Sequence, residues 1–273
     1  MRRIQTKVWS HTSLDDSERH TISDVLASEP KAINSFPELV RSVAEISFRN
    51  PEHALFYRGQ HLDYQETLKN IGQVSSFYPS IYRNLGKSRP VTEVFKRFEK
   101  LDTLSKRLME KFSEEGIDGH EKITTFPELS WAILQHYEVC ITPLLDVTHS
   151  LRVAASFALN ENENDGYLYV FGFPHPNGSI TYSVEEELLN IRLLSICPPQ
   201  AHRPYYQEGF LVGTFPSRGL AKHLTLDIGR RLIAKFRLIK QQFWDAHFQA
   251  IPKEALYPMD DMISVCNKLK LSE

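Results

Sequence analysis

The sequence is poor in cysteine, with three cysteines in 273 residues and no C-x-x-C pair. Cys140, Cys197 and Cys266 lie far apart, and their odd number argues against a disulfide framework. A polar stretch at residues 5–7 follows the basic N-terminus, where a signal peptide would need an apolar run. The most apolar helical run, residues 153–159, is far too short to span a bilayer. We therefore expect a cytoplasmic protein with no membrane partner.

The sequence also lacks a strong charge of either sign, since its formal net charge is −2. This balance gives no global electrostatic case for binding nucleic acid or an anionic membrane. The G-x-G-x-x-G, P-loop, G-x-S-x-G and H-E-x-x-H motifs are all missing. No second histidine or cysteine stands at ligand spacing from His136, so we expect no metal.

No internal repeat and no low-complexity linker divides the chain, which predicts an N-terminal extension over residues 1–35 and one domain over residues 36–273. The apolar spacing predicts helices over residues 36–50, 91–115 and 128–135, and a further helix that begins near Ser150. Runs of strand-forming residues predict strands over 55–59, 166–171, 208–215 and 232–238. Because these strands do not alternate regularly with helices, the fold class is α+β, with a helical insertion near residues 91–135.

An arginine at a predicted strand end is the first candidate for function. In Phe56-Tyr57-Arg58-Gly59-Gln60 the planar, charged Arg58 fork suits a phosphate or carboxylate. The alternative is a surface salt bridge with Gly59 simply turning the chain. Arg83 ends a second aromatic loop near Ser80. It is either a solvated side chain or, with Arg58, half of a pyrophosphate site.

Two further segments carry polar side chains next to predicted helices and strands. His136 ends a predicted helix, and Asp146 and Thr148 lie two apart on a predicted strand, so both should share a face. Asp146 and Thr148 either cap the next helix or hold a ribose or amide of a ligand. If residues 207–209 are extended, Gln207 and Gly209 share a face and Glu208 points the other way.

Taken in order, these motifs resemble those of the FRG domain family, named for its aromatic-Arg-Gly motif. The motifs that carry the resemblance are Tyr57–Gln60, Pro79–Arg83, Gln135–Tyr137, Thr142–Thr148, residues 153–158, Gln207–Phe210 and Ala255–Asp261. The resemblance covers roughly residues 36–270. The family usually has an arginine where Pro143 stands and a tryptophan where Val147 stands, so position 143 lacks an anion-binding donor here.

FRG domains in turn resemble a divergent ADP-ribosyltransferase fold with a mixed β core and flanking helices. This second resemblance implies NAD as co-substrate, with Arg58 on phosphate, Thr148 on the ribose and Tyr57 or Tyr137 stacked on nicotinamide. Gln207 or Glu208 would face the 2′-hydroxyl. Gly209 stands where the transferase pattern has a glutamate, which makes Asp146 the better candidate acid. The implied catalytic residues are Arg58, Asp146, Thr148, Gln207 and Glu208, and the implied cofactor-binding residues are Tyr57, Gly59, Gln60, Ser80, Arg83, Gln135, His136 and Tyr137.

The resemblance predicts an ADP-ribosyltransferase or NAD glycohydrolase. Such a protein would be a bacterial or phage-related toxin or effector, active in phage defence on a protein or nucleic-acid acceptor and held by an antitoxin or other regulatory partner. A non-catalytic module that binds a nucleotide or ADP-ribose is the alternative. A third hypothesis is a nucleic-acid-acting protein with a local basic face, built from Lys222, His223, Arg230, Arg231, Lys235 and Arg237.

Overall fold

The structure, a computed structural model, describes residues 7–16, 18–69, 71–85, 91–160, 164–215 and 226–270. The strands are β1 Lys7–Val8, β2 His20–Thr21, β3 Lys31–Ile33, β4 Ala54–Gln60, β5 Gln65–Leu68, β6 Gly72–Ser75, β7 Leu144–Thr148, β8 Gly166–Phe173, β9 Ile180–Ser183, β10 Leu188–Arg192, β11 Gly209–Thr214 and β12 Leu232–Leu238. The helices are α1 Ser13–Asp16, α2 Ile22–Ala27, α3 Phe36–Arg49, α4 Val91–Glu114, α5 His120–Thr125, α6 Pro127–His136, α7 Leu151–Leu159, α8 Leu193–Ile196, α9 Arg203–Tyr206, α10 Lys240–Phe243, α11 Lys253–Leu256 and α12 Asp261–Lys270.

The chain divides into two compact units, each made of three separate stretches. The first unit comprises Met1–Phe77, Val147–Asn177 and Asp227–Leu256, and the second comprises Tyr78–Asp146, Gly178–Leu226 and Tyr257–Glu273. In sequence, β7 passes from the second unit into the first between Asp146 and Val147. Among the described residues, no helix is long and apolar enough to cross a membrane.

The first unit contains a mixed sheet with the strand order β3-β12-β8-β4. β3 runs parallel to β12, whereas β8 is antiparallel to both of its neighbours. β3 lies within the predicted N-terminal extension, yet it forms part of this sheet. The prediction of a mixed β core with helices is confirmed, and β4, β8 and β12 form where the strand runs predicted them.

Helix α7 packs on β4 in the first unit and begins where the sequence indicated. Ser150 caps it by accepting a hydrogen bond from the Val153 N–H, as expected of a serine just before a helix. Its small side chains, including Ala154, Ala155 and Ala158, are fully buried. Small residues allow a helix to lie close to a sheet, which brings the helix backbone against β4.

A buried polar network lies on the β8–β12 part of the first unit. Lys235 is 2% exposed, and its Nζ donates to the Leu26 carbonyl at 2.9 Å and to Ser75 Oγ at 3.0 Å. Ser75 Oγ donates to Asp63 Oδ2 at 3.1 Å, and Tyr169 Oη donates to Asp63 Oδ1 at 2.9 Å. Burial lowers the pKa of Lys235, and the Asp63 carboxylate opposes that change. The hydrogen bonds offset part of the cost of burying a charge.

His11 closes this network in its neutral form. The Lys235 N–H donates to Nδ1 at 3.3 Å, and Nε2 lies 3.0 Å from the Glu29 carbonyl. Nδ1 is therefore the acceptor, and the ring proton sits on Nε2. Burial, opposed by the Glu29 carbonyl and helped by nearby lysines, lowers the pKa of His11 to about 4.

We expect acid to destabilise the protein through His11. Because the unfolded chain takes up a proton near pH 6.5 and the folded chain near pH 4, stability should fall as the pH drops through that window. The loss is on the order of 3 kcal/mol at most. Urea unfolding between pH 7 and pH 4.5 measures it. A His11→Asn variant should show a smaller loss, because it lacks the imidazole that takes up the proton. Some loss should remain, since His53, whose pKa burial also lowers, is present in both proteins. Equal losses in the two proteins would contradict the assignment.

The second unit combines the antiparallel strands β11-β10-β9 with the helices of the predicted insertion. The insertion is confirmed, with α4, α5 and α6 filling residues 91–136 almost without interruption. Just beyond the end of α4, Gly116 adopts the left-handed conformation at φ +63°, as glycine commonly does after a helix. Pro127 occupies the first turn of α6, where the missing N–H costs nothing.

The core of the second unit is apolar and helps to fix the end of α6. Trp131 and Leu134 of α6 pack with Phe98 and Leu108 of α4 and with Leu211 of β11. This packing holds the C-terminal residues of α6, Gln135 and His136, next to Asp146 of β7. The predicted polar residues of this unit therefore stand on a well-packed support.

Candidate functional site

The polar cluster of the second unit is centred on the Asp146 carboxylate. Gln135 Nε2 donates to Asp146 Oδ2 at 2.8 Å, and His136 Nδ1 lies 3.5 Å from Asp146 Oδ1. The two oxygens are thus approached by consecutive residues at the end of α6. The Asp146 side chain is 38% exposed, whereas that of His136 is 2% exposed. The carboxylate is therefore oriented from within the protein and partly exposed to solvent.

Thr142 and Ser80 fix the orientation of the Gln135 amide. Thr142 Oγ1 donates to Gln135 Oε1 at 2.6 Å, so the amide must turn its NH₂ group toward Asp146. The Thr142 N–H donates to Ser80 Oγ at 2.9 Å, and Ser80 Oγ lies 3.3 Å from the Thr142 carbonyl. Thr142 is fully buried. Sequence reasoning did not select Thr142 as a site residue, although Gln135 lies only seven residues away; its other partner, Ser80, lies 62 residues away.

The His136 ring has one partner side and one unsatisfied side. An ionised carboxylate only accepts hydrogen bonds, so pairing with Asp146 places the ring proton on Nδ1. Nε2 then carries a lone pair, and this buried atom has no hydrogen-bond partner within the described ranges. Gly209 adjoins the ring, since a Cβ there would lie 3.5 Å from His136 Cε1. The ring therefore presents a hydrogen-bond acceptor at Nε2.

Arg203 and Asp260 contact the C-terminal end of α6 and help to hold it in place. Arg203 Nη1 donates to the His136 carbonyl at 2.9 Å, and its guanidinium lies over the rings of Tyr137 and Tyr257. Tyr137 Oη donates to Asp260 Oδ2 at 2.8 Å. Burial, with the Asp260 hydrogen bond second, raises the pKa of Tyr137. The expected stacking of Tyr137 on nicotinamide is wrong for this structure, because the ring is buried and Arg203 covers its face.

In the first unit, the aromatic-Arg-Gly segment forms β4 as predicted. Arg58 lies opposite Tyr169 on β8, and Tyr57 lies opposite Thr148 on β7. Side chains alternate along a strand, so Arg58 points to one face while Tyr57 and Thr148 point to the other. Arg58 and Thr148 therefore lie on opposite faces of the sheet, and their binding of phosphate and ribose stays a prediction. Thr148 Oγ1 accepts the Ser150 N–H at 3.0 Å, so it fixes the turn just before α7, whose cap is Ser150.

The surroundings of Tyr57 and Arg58 differ in polarity. Burial raises the pKa of the Tyr57 hydroxyl to about 12. On the other face, burial and Asp63 raise the pKa of Tyr169, and the Arg58 charge opposes them. Arg58 and Gln60 are half-buried. Anion binding by Arg58 and Gln60 stays a prediction.

Gly59 has a steric role in this segment. A Cβ at position 59 would lie 1.8 Å from the Ala154 carbonyl oxygen of α7. No side chain fits at that distance, so α7 approaches β4 at this residue because it is glycine. This contact explains the glycine of the motif without a ligand.

The remaining predicted residues lie at loops and turns of the second unit. Arg83 is exposed, and its Nε donates to the Tyr78 carbonyl at 2.6 Å, so its own loop holds the guanidinium. Gln207 caps α9, and Glu208 is exposed in the left-handed conformation at φ +46°. The strand predicted from Glu208 begins at Gly209, so the alternation argument for Gln207 and Glu208 does not apply. A side chain at position 209 would displace the end of Leu193, since a Cβ there would lie 2.8 Å from Leu193 Cδ1.

The prediction of a local basic face is also wrong in part. Arg231 and Lys235 are both buried, and Arg231 Nε donates to the Gly172 carbonyl at 2.8 Å. Both charged side chains are therefore buried in the first unit and do not face solvent. Lys222 and His223 lie outside the described residues. In the part of the chain that the structure describes, no group of three or more histidine, cysteine, aspartate or glutamate residues could hold a metal ion.

Comparison with known families gives one result. A sequence model of the FRG domain matches residues 53–166. The chain contains an FRG domain. No curated protein and no solved structure matches the chain, so an ADP-ribosyltransferase-like fold stays a prediction.

The FRG domain match includes both the β4 segment and the Asp146 cluster. It ends at Gly166, so Arg203, Gln207 and Asp260 lie beyond it. Pro143 and Val147, the two departures from the family pattern, are both buried on either side of Asp146. The support for His136 therefore comes partly from residues that the FRG domain match does not include.

Proposed function

We propose that this FRG-domain protein cleaves the N-glycosidic bond of NAD, as an ADP-ribosyltransferase or NAD glycohydrolase, with Asp146 as the carboxylate that stabilises the reacting centre. The observation that carries the proposal is the Asp146 side chain. It is partly exposed, and Gln135 and His136 approach both of its oxygens. A toxin or effector role in the cytoplasm, with a macromolecular acceptor, is part of this proposal.

The chemistry requires a fixed negative charge near the anomeric carbon. When the C1′–N bond breaks, nicotinamide leaves with the electron pair and C1′ gains oxocarbenium character, which a nearby carboxylate stabilises. Water or an acceptor nucleophile then adds to C1′ and releases a proton. A carboxylate held in place by hydrogen bonds needs little reorganisation during this step. Gln135 and, through it, Thr142 supply that orientation.

Nicotinamide release tests the proposal. Incubation of the full chain with NAD and cell extract as a source of acceptors should release nicotinamide, measured by liquid chromatography. An Asp146→Asn variant should be slower by at least about 100-fold, in line with the loss of a preorganised electrostatic group. Asp118→Asn, an exposed carboxylate of the same unit, is the matched control and should keep the wild-type rate. The absence of nicotinamide release from the wild type, or equal rates in Asp146→Asn, Arg58→Ala and wild type, would refute the proposal.

One observation favours a non-catalytic alternative. Gly209 stands where the transferase pattern has a glutamate, and a side chain there would have to displace the end of Leu193. A domain that lost this acid could keep nucleotide binding without turnover. Calorimetry with ADP-ribose and NAD separates the two functions, because the alternative requires tight binding and no nicotinamide release.

A further inference from the structure

Asn190, in the middle of β10, is a buried amide with unmet hydrogen-bonding capacity. The residue is 8% exposed, and both Nδ2 and Oδ1 have no hydrogen-bond partner in the described part of the chain. A buried donor or acceptor left unsatisfied costs about 1–3 kcal/mol. Native proteins carry few such groups, and each has a cause. A bound group that offers an acceptor beside a donor would satisfy both atoms of Asn190 at once.

The neighbours of Asn190 form one strip on the sheet of the second unit. Asn190 lies opposite Val212 of β11 and Thr181 of β9, and Arg192 lies opposite Phe210. Because directly opposed residues and alternate residues share a face, these five side chains lie together; we call them the Asn190 strip. Arg192 keeps an extended backbone at φ −86°, ψ 105° and is exposed. The strip therefore runs from an exposed cation to a buried amide.

The Asn190 strip is on the opposite face from the His136 ring. Gly209 adjoins that ring, and Leu211 belongs to the core on the same side. Phe210 and Val212 alternate with these residues along β11, so they face the other way. The Asn190 strip is thus separate from the carboxylate cluster.

The chemistry of the strip identifies a class of ligand. A side-chain amide pairs in plane with an edge that carries an acceptor beside a donor, such as the N7/N6 edge of adenine or a primary carboxamide. Arg192, about 7 Å along the strand, presents a fork that suits a phosphate. Phe210 adds an aromatic ring beside both. We propose that the Asn190 strip binds a mononucleotide, with Asn190 on the edge of the base and Arg192 on the phosphate.

Calorimetric titration of the full chain tests this site without any turnover. The probes are adenosine monophosphate, nicotinamide mononucleotide and ribose 5-phosphate, which lacks the planar edge. One of the two nucleotides should bind, and that result names the edge that Asn190 recognises.

Asn190→Leu should weaken binding at least about tenfold. Its free energy of unfolding should be unchanged or higher, because an apolar group of similar size replaces an unsatisfied amide. Arg192→Gln should weaken binding and reduce its dependence on salt.

The outcomes separate this site from the proposed NAD chemistry. Asp146→Asn should bind the nucleotide as the wild type does, so loss of turnover and loss of this site are distinguishable. The proposal is overturned if neither nucleotide binds at about 1 mM. It is also overturned if Asn190→Leu binds as well as the wild type. Destabilisation of Asn190→Leu without nucleotide binding by the wild type would assign Asn190 a structural role instead.

Discussion

Replacing Gly59 by alanine is expected to reduce the free energy of unfolding by more than about 3 kcal/mol, above the usual range for an overpacked site. The added Cβ would lie 1.8 Å from the Ala154 carbonyl oxygen, a distance that no pair of atoms tolerates. The β4 backbone fixes the position of the Cβ, and the oxygen belongs to the α7 backbone, so no side-chain rotation can relieve the contact. α7 would have to move off β4, and the small buried residues that face the strand would lose their packing.

Urea unfolding monitored by circular dichroism measures the Gly59 effect. Gly178→Ala is the matched control, because a Cβ at position 178 meets nothing closer than 3.7 Å. That variant should change stability by less than about 1 kcal/mol, through the unfolded chain. A Gly59→Ala protein as stable as the control would show that α7 does not approach β4 as described. The glycine of the motif would then need a ligand-based explanation.

Asp260→Ala is expected to cost about 3 kcal/mol, because one carboxylate accepts several hydrogen bonds. Oδ2 accepts from Tyr137 Oη at 2.8 Å and from the His202 and Arg203 N–H groups at 2.9 and 3.2 Å. Oδ1 accepts from the Ile263 N–H at 3.1 Å and so caps α12. The loss combines a helix cap, worth about 1 kcal/mol, with a buried tyrosine hydroxyl left without its acceptor.

The neighbouring Asp261 provides the control for this prediction. Asp261→Ala removes an exposed acid from the first turn of the same helix and should cost no more than about 1 kcal/mol. Thermal and urea unfolding of the two variants give the comparison. Equal losses would mean that the effect comes from the helix dipole and not from the bonds to Tyr137 and the α9 backbone.

Local patterns predicted the longer helices and strands of this protein but not the shorter strands β1, β2, β3, β5, β6, β9 and β10. The strand signal at residues 232–238 and the apolar spacing from Val91 describe β12 and α4 closely, because β12 is buried over most of its length and α4 buries one regular face. Prediction failed at Glu208, where a left-handed residue precedes the strand. A strand pattern in the sequence does not show which residue is the first to be extended.

The candidate site was predicted in part, and for a physical reason. Gln135, His136 and Asp146 lie within a dozen residues, so a helix end followed by a strand brings them together. Thr142 depends on Ser80, and Arg203 reaches the His136 carbonyl across 67 residues, so no local pattern could indicate these contacts. The pairing of Tyr57 with Thr148 decides that Arg58 points away from Thr148, and strand register is a property of the folded sheet.

The attachment of Asp146 to the last residues of α6 links the carboxylate to the fraying of that helix. Helix ends open at a lower free energy than the rest of a protein. Loss of the last turn would release Gln135 and His136 together, so both oxygens of Asp146 would lose their orientation in one event. Arg203, bonded to the final carbonyl of α6, acts against that opening. Any opening of this last turn should therefore disorder the carboxylate even while the rest of the core of the second unit stays folded.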